Sequence, residues 1–234
     1  MNIALLTAGG IGSRMKQEIP KQFLHVNNKP IIIYTLEAFQ YNPNIDFIIV
    51  AILEHWESIF WAYAKQYNIS KLRWVVTGGK TGQESIYNCL MKLEEEKVPL
   101  DSKIIIHDGN RALVTQDIIS DSLSVYNKYG SAVAAIPCLE AIFESENKLF
   151  SEINIPREKL VRTQTPHTYS LEKLLWAHSE AKKRGIKNTA ATCVLMNILG
   201  EKVYFSLGTE KNFKITTMDD LEIFKALLQA KKLE

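Results

Sequence analysis

Apolar positions along the chain follow two periods. Unbroken apolar runs at residues 3–7, 47–53, 74–77, 104–106 and 132–136 have the length and continuity of strands buried on both faces. Between them, apolar residues recur at helical spacing over 30–40, 56–67, 85–93 and 117–129. In the first of these segments Ile32, Ile33, Leu36 and Phe39 share a face, and Pro30 suits the first turn. This alternation predicts an α/β fold with a doubly wound, mostly parallel sheet. It breaks at 138–164, where β-like pieces at Ile142-Phe143 and Leu149-Phe150 flank a polar turn, Glu146-Asn147-Lys148. That stretch predicts a β-hairpin arm protruding from the sheet, with little core of its own and a need for a partner surface. Helices over 171–184 and 190–199 with stops at Gly185 and Gly200, a strand over 203–206 and a last helix over 219–231 complete one domain spanning 1–234.

Composition narrows the function. The chain has 234 residues, 46% of them hydrophobic, enough for a real core and against disorder. Net charge is +2, from 28 basic and 26 acidic residues, and no basic run stands out, so nucleic acid is not the expected partner. No leader and no run long enough to cross a membrane is recognisable. Cys89, Cys138 and Cys193 are scattered and read as small buried hydrophobes in a reducing cytoplasm. His25, His55 and His178 lack metal spacing, and Trp56, Phe60, Trp61 and Tyr63 read as packing on one helix.

The candidate chemistry sits where the expected strands end. Residues 3–7 run into Gly9, Gly10 and Gly12, whose backbone can approach a ligand closely and present N–H groups to an anion. Arg14 and Lys21 place two positive charges beside that loop, which reads as a triphosphate cradle. It is not the dinucleotide fingerprint, because Met15 stands where the third glycine belongs. Gly79-Lys80-Thr81 imitates a P-loop tail, but Trp74 occupies the first glycine position. Asp108 ends a buried strand opposite the loop, a suitable place for a carboxylate that holds Mg²⁺ with phosphate oxygens; capping the next turn is the plainer alternative. Residues 78–85 form a second flexible turn opening a helix, with Ser85 as a cap or nucleotide ligand. Lys214 precedes a helix-start signature and matters only if its loop folds back on the site.

In their order and spacing, several segments resemble the methylerythritol-phosphate and ribitol-5-phosphate cytidylyltransferase family, with features closer to the ribitol-phosphate branch. The carriers are Ala8-Gly-Gly-Ile-Gly-Ser-Arg-Met15, Pro20-Lys-Gln22, Gly78-Gly79 with Glu84-Ser85, His107-Asp108 with Arg111, Ile155-Pro-Arg157, Gln164-Thr-Pro166 and Asn212-x-Lys-Ile-Thr216. The resemblance implies a nucleotide-diphospho-sugar transferase type of fold and transfer of CMP from CTP to an alditol phosphate, with Mg²⁺ as cofactor. It implies Arg14, Lys21, Arg157 and Lys214 as catalytic residues. It implies Thr7, Ala8, Gly9, Gly10, Gly12, Gly79, Lys80, Ser85 and Asp108 as the CTP site, with Asp108 also the metal ligand. Arg111, Glu140, Arg157 and Lys214 would meet the acceptor, and the arm would cross to a second subunit in a homodimer. The family usually has Arg at Gly82, Pro at Ala112, Asp-Thr at Glu140-Ala141, acidic residues at Ala190, Ala191 and Met196, and Gln at His167. The resemblance favours ribitol 5-phosphate as acceptor; the departures cluster where the acceptor should sit and open the way to another pentitol or hexitol phosphate, while Glu140-Ala141 argues against the remaining alternative, methylerythritol 4-phosphate. A silent CTP-binding homologue is the non-enzymatic alternative.

Overall fold

The computed structural model describes residues 1–10 and 19–230. Its centre is a seven-stranded sheet built from β1 (Asn2–Ala8), β4 (Phe47–Ile52), β5 (Leu72–Thr77), β6 (Lys103–Asp108), β7 (Ala132–Pro137), β10 (Val161–Ser170) and β11 (Phe205–Leu207), in the order β11-β7-β10-β6-β1-β4-β5. All neighbouring pairs are parallel except those of β10, which runs antiparallel to both β6 and β7. A small hairpin, β2 (His25–Val26) with β3 (Lys29–Pro30), precedes the first helix.

Alternation along the central strands creates two cores. Ala4, Leu6 and Ala8 of β1, Ile48, Val50 and Ile52 of β4, and Ile105 of β6 face one side. There they meet α1 (Ile31–Gln40), α2 (Glu57–Gln66) and α4 (Gln116–Tyr129) through Leu36, Phe39, Phe60, Ile118 and Ile119. Ile3, Leu5, Ile49, Ala51, Ile104 and Ile106 face the other side. They pack on α3 (Gly82–Glu95), α5 (Leu171–Lys183) and α6 (Thr192–Ile198) through Cys89, Leu90, Leu174, Ala177 and Leu195. The unbroken apolar runs thus follow from a sheet covered on both faces. A smaller core joins Val26 and Ile31 to Leu221 and Phe224 of α7 (Met218–Ala230). Gly185 and Gly200 end α5 and α6 with φ of +70° and +91°, as their positions in the sequence suggest.

Between β7 and β10, β8 (Ile142–Glu144) pairs antiparallel with β9 (Ile153–Ile155) as a separate two-stranded ribbon. Three expectations need correction. The second strand of the arm is Ile153–Ile155 and not Leu149-Phe150, whose N–H groups donate to Asn147 Oδ1 at 2.9 and 3.3 Å and so belong to the turn. The helix expected from Ser85 begins at Gly82, and its cap is Thr81, whose hydroxyl accepts the Glu84 N–H at 3.1 Å. Residues 161–170, read only as the end of the arm and a short motif, form β10, the longest strand of the sheet.

Candidate active site

The loops after β1, β5 and β6 come together at the carboxyl ends of the parallel strands, where open α/β sheets bind ligands. The Gly9 and Gly78 backbones are nearly in contact: a Cβ on Gly78 would lie 3.0 Å from the Gly9 Cα and 3.2 Å from the Ile52 carbonyl oxygen. Gln22, buried at the end of the Pro20-Lys21-Gln22 turn, donates its amide to the Ala8 carbonyl at 2.6 Å. That bond holds Lys21 beside the first glycine loop. In the second loop, Ser85 Oγ accepts the Gly79 N–H at 3.0 Å and donates to the Thr81 carbonyl at 3.0 Å. The Glu84 carboxylate accepts the Lys80 N–H at 2.8 Å. Ser85 is therefore an internal tie of this loop, and the helix N-terminus behind it faces the cleft with the polarity that favours an anion.

Asp108 ends β6 as the charged centre. Its Oδ1 lies 2.8 Å from Lys214 Nζ and its Oδ2 3.0 Å from Arg111 Nε. Burial works to raise its pKa, but Lys214 and then Arg111 outweigh that and hold it well below the usual carboxylate range. Arg111 also donates Nη1–H to the Asn212 carbonyl at 2.7 Å. The loop carrying Lys214 does fold back: Ile215 N–H donates to the Asn110 carbonyl at 2.9 Å.

Beneath Asp108, His107 is fully buried, and that burial lowers its pKa to about 4. The neutral ring is oriented by its partners. The Arg111 carbonyl, 3.2 Å from Nε2, can only accept, so the proton sits on Nε2. Nδ1 then accepts from the Thr165 hydroxyl at 3.0 Å, and Thr165 Oγ1 accepts the Asp108 N–H at 3.1 Å.

These groups border an open cavity of about 880 Å³. Thr7, Ala8, Gly9, Gly10 and Lys21 line its first side, and Gly79, Lys80 and Ser85 the second. Asp108, Arg111 and Lys214 form its charged floor. Among the described residues, the cavity is lined by four cations, Lys21, Lys80, Arg111 and Lys214, and one carboxylate, Asp108, which pairs with the last two. The far wall comes from residues that sequence reading did not assign to the nucleotide: Thr163 to Thr165 and His167 of β10, His178 of α5, and residues 189–192. His178, which lacks metal spacing in the sequence, is buried and stacked on Tyr87 with centroids 5.7 Å apart, and it also borders the cavity. Burial lowers the pKa of both His167 and His178 to about 4, so this wall is neutral. Gln83 joins it to the glycine loop by donating to the Ile186 carbonyl at 3.0 Å and accepting from Thr189 N at 3.0 Å. Its polar spacing carries no periodic signal that could have revealed this.

Not every expected site residue is gathered here. Gly12 and Arg14 lie outside the described residues. Glu140 is exposed and Arg157 sits at the base of the ribbon, where it donates to the Leu139 carbonyl at 2.8 Å and pairs with Glu158 at 3.6 Å. Neither borders the cavity of the single chain. No group of three or more His, Cys, Asp or Glu able to hold a metal ion occurs among the described residues. Each Asp108 oxygen has one cationic partner and a further lone pair, which fits a cation that takes one protein ligand and draws the rest from phosphates.

Residues 2–230 match the family model described as IspD, 2-C-methyl-D-erythritol 4-phosphate cytidylyltransferase. The chain is 42% identical to a ribitol-5-phosphate cytidylyltransferase of Lacticaseibacillus paracasei, covering 100% of both chains. It is 37% identical to one of Vibrio parahaemolyticus, over 99% of this chain and 98% of that one. Its fold superposes on the crystal structure of the Francisella tularensis 2-C-methyl-D-erythritol 4-phosphate cytidylyltransferase with a TM-score of 0.77 and 28% identity, over 95% and 97% of the two chains. With glycine loops, cationic cleft and full-length similarity in agreement, the chain belongs to the 2-C-methyl-D-erythritol 4-phosphate cytidylyltransferase family.

Proposed function

We propose that this protein transfers CMP from CTP to an alditol phosphate, most specifically ribitol 5-phosphate, releasing pyrophosphate. The observation that carries the reading is the cationic cleft at the strand ends: two glycine loops nearly in contact and, among the described residues, four cations and one carboxylate lining the cavity. The ribitol-phosphate relatives, 42% and 37% identical over nearly full length, support the acceptor.

In this reading an acceptor phosphate oxygen attacks the α-phosphorus in line. The bond to the bridging oxygen of the β-phosphate breaks, and pyrophosphate carries away the electron pair. No side chain forms a covalent bond, so the protein contributes orientation and charge neutralisation. Lys21, with Arg14, serves the triphosphate; Thr7 to Gly10, with Gly12, and Gly79 to Ser85 seat the nucleotide. Lys214 orients the acceptor phosphate. Arg111 holds Asp108 in this chain, and its remaining N–H groups are available to the acceptor. Asp108 would be the protein ligand of Mg²⁺, which neutralises phosphate charge when bound.

Glu140 and Arg157 complete the site from the arm of a second subunit in this proposal, since neither borders the cavity of its own chain. CTP use and buried free thiols suit the cytoplasm, and a CDP-alditol would feed a cell-envelope or capsular polymer. Pyrophosphate release with CTP and Mg²⁺ is the test, across ribitol 5-phosphate, arabinitol, xylitol, mannitol and glycerol phosphates and methylerythritol 4-phosphate. The expected outcome is a clear preference for ribitol 5-phosphate. Preference for methylerythritol 4-phosphate reassigns the acceptor, and silence throughout removes the enzymatic reading.

A further inference from the structure

Lys214 is carried by residues 209–216, which contain no helix or strand. A lysine side chain on an irregular loop samples many rotamers, and holding its ammonium at one point is entropically costly. Yet Nζ lies 2.8 Å from Asp108 Oδ1. Two asparagines account for the loop's placement. Asn212, two residues before Lys214, is fully buried; its amide donates to the Thr165 carbonyl at 2.8 Å and to Gln164 Oε1 at 3.3 Å. Its own carbonyl accepts from Arg111 Nη1 at 2.7 Å. Asn110 grips the residue after Lys214: its carbonyl accepts the Ile215 N–H at 2.9 Å, and its side-chain amide donates to the Ile215 carbonyl. The lysine is therefore clamped on both sides, once to β10 and once to the turn after β6 that also carries Asp108 and Arg111.

We propose that Asn110 and Asn212 are positioning residues for Lys214, fixing the loop so that the ammonium meets Asp108 and the incoming acceptor phosphate. The proposal rests on the reading of Lys214 given above. Neither asparagine is required to touch substrate. Each acts through the lysine, and the loss of either should therefore matter only while the lysine is present.

Alanine and serine variants of Asn110 and Asn212, each alone and combined with Lys214→Ala, test this. Lys214→Ala is expected to lower kcat/KM for the acceptor by about 100-fold, and Asn212→Ala by about tenfold, as a small misplacement of an orienting group does. CTP affinity by calorimetry should stay within about twofold. The double variants should be no worse than Lys214→Ala alone, because the asparagines then have nothing left to position. Losses that multiply, or asparagine variants in both series that no longer bind CTP, would overturn the proposal, since the asparagines would then be supporting the fold. A second readout needs no turnover. Reductive ¹³C-methylation gives the Lys214 ammonium an NMR resonance, assigned by its disappearance in Lys214→Arg. It should stand apart from the other lysines and move toward them in Asn212→Ala; an unmoved resonance contradicts the clamp. If the parent chain releases no pyrophosphate from any acceptor, the enzymatic reading fails, and the resonance still decides the positioning.

Discussion

At the scale of single residues, the site keeps its charges on a few groups and holds its histidines neutral. Burial lowers His107, His167 and His178 to about 4, against roughly 6.5 for an exposed imidazole. The unfolded chain therefore takes up protons at a pH where the folded chain does not. The histidines' contribution to stability is complete above about pH 6.5 and is lost as the pH falls toward 4. Asp108 adds a later contribution of the same direction. Its carboxyl is depressed in the folded state, so its stabilisation is present above the unfolded value near ~4 and is lost below it. Urea denaturation between pH 7.5 and 5 should show midpoints falling with pH, and in His178→Gln the slope should lessen by up to about 1.4 kcal/mol per pH unit. Parallel slopes in the parent and the variant would place His178 outside this linkage.

Elements meet at the two glycine loops, and two glycines there have opposite constraints. Gly78 sits so close to Gly9 and the Ile52 carbonyl that the Cβ of Gly78→Ala needs these two backbones to give by a few tenths of an ångström. A cost of about 1–3 kcal/mol in urea denaturation is expected, with weakened CTP binding. Gly82, the first residue of α3, has nothing within 4 Å of the position a Cβ would take, and its φ is not left-handed. Gly82→Ala should therefore stabilise by roughly 0.4–1 kcal/mol through the unfolded chain. Gly82→Arg, which restores the residue usual in the resembled family, should fold normally and alter CTP affinity. Destabilisation by Gly82→Ala equal to that of Gly78→Ala would contradict the difference in packing.

For the molecule as a whole, the ribbon of β8 and β9 is the feature on which the proposed dimer rests. Phe143, Leu149, Phe150 and Ile153 are all exposed, with Leu149 at 88%. Apolar side chains gathered on so small a ribbon suit a partner surface rather than water. Light scattering should give twice the 26.6 kDa chain mass. Phe143→Glu combined with Phe150→Glu should yield monomers that bind CTP but lose acceptor turnover, because Arg157 and Glu140 would no longer reach a partner's cleft. A monomer with full activity on dilution would rule out the shared site.

The β–α alternation, both glycine loops and Asp108 at a strand end were legible in the sequence. A strand covered on both faces must be apolar throughout, and a helix on such a sheet must repeat its apolar face, so residues 3–7 and 30–40 announced themselves. The tertiary structure alone decided β10. Its Gln164, Thr165, His167 and Thr168 are polar, yet they are buried between two other strands. They can be there because the fold supplies partners from distant segments: Thr209 for Gln164, His107 for Thr165 and Ser122 for Thr168. Local pattern carries no trace of a hydrogen bond made across the sheet. The same reason applies to Lys214. Only the family resemblance pointed it to a phosphate, and only long-range bonds from Asn110, Arg111 and Thr165 to the loop that carries it bring its ammonium to Asp108.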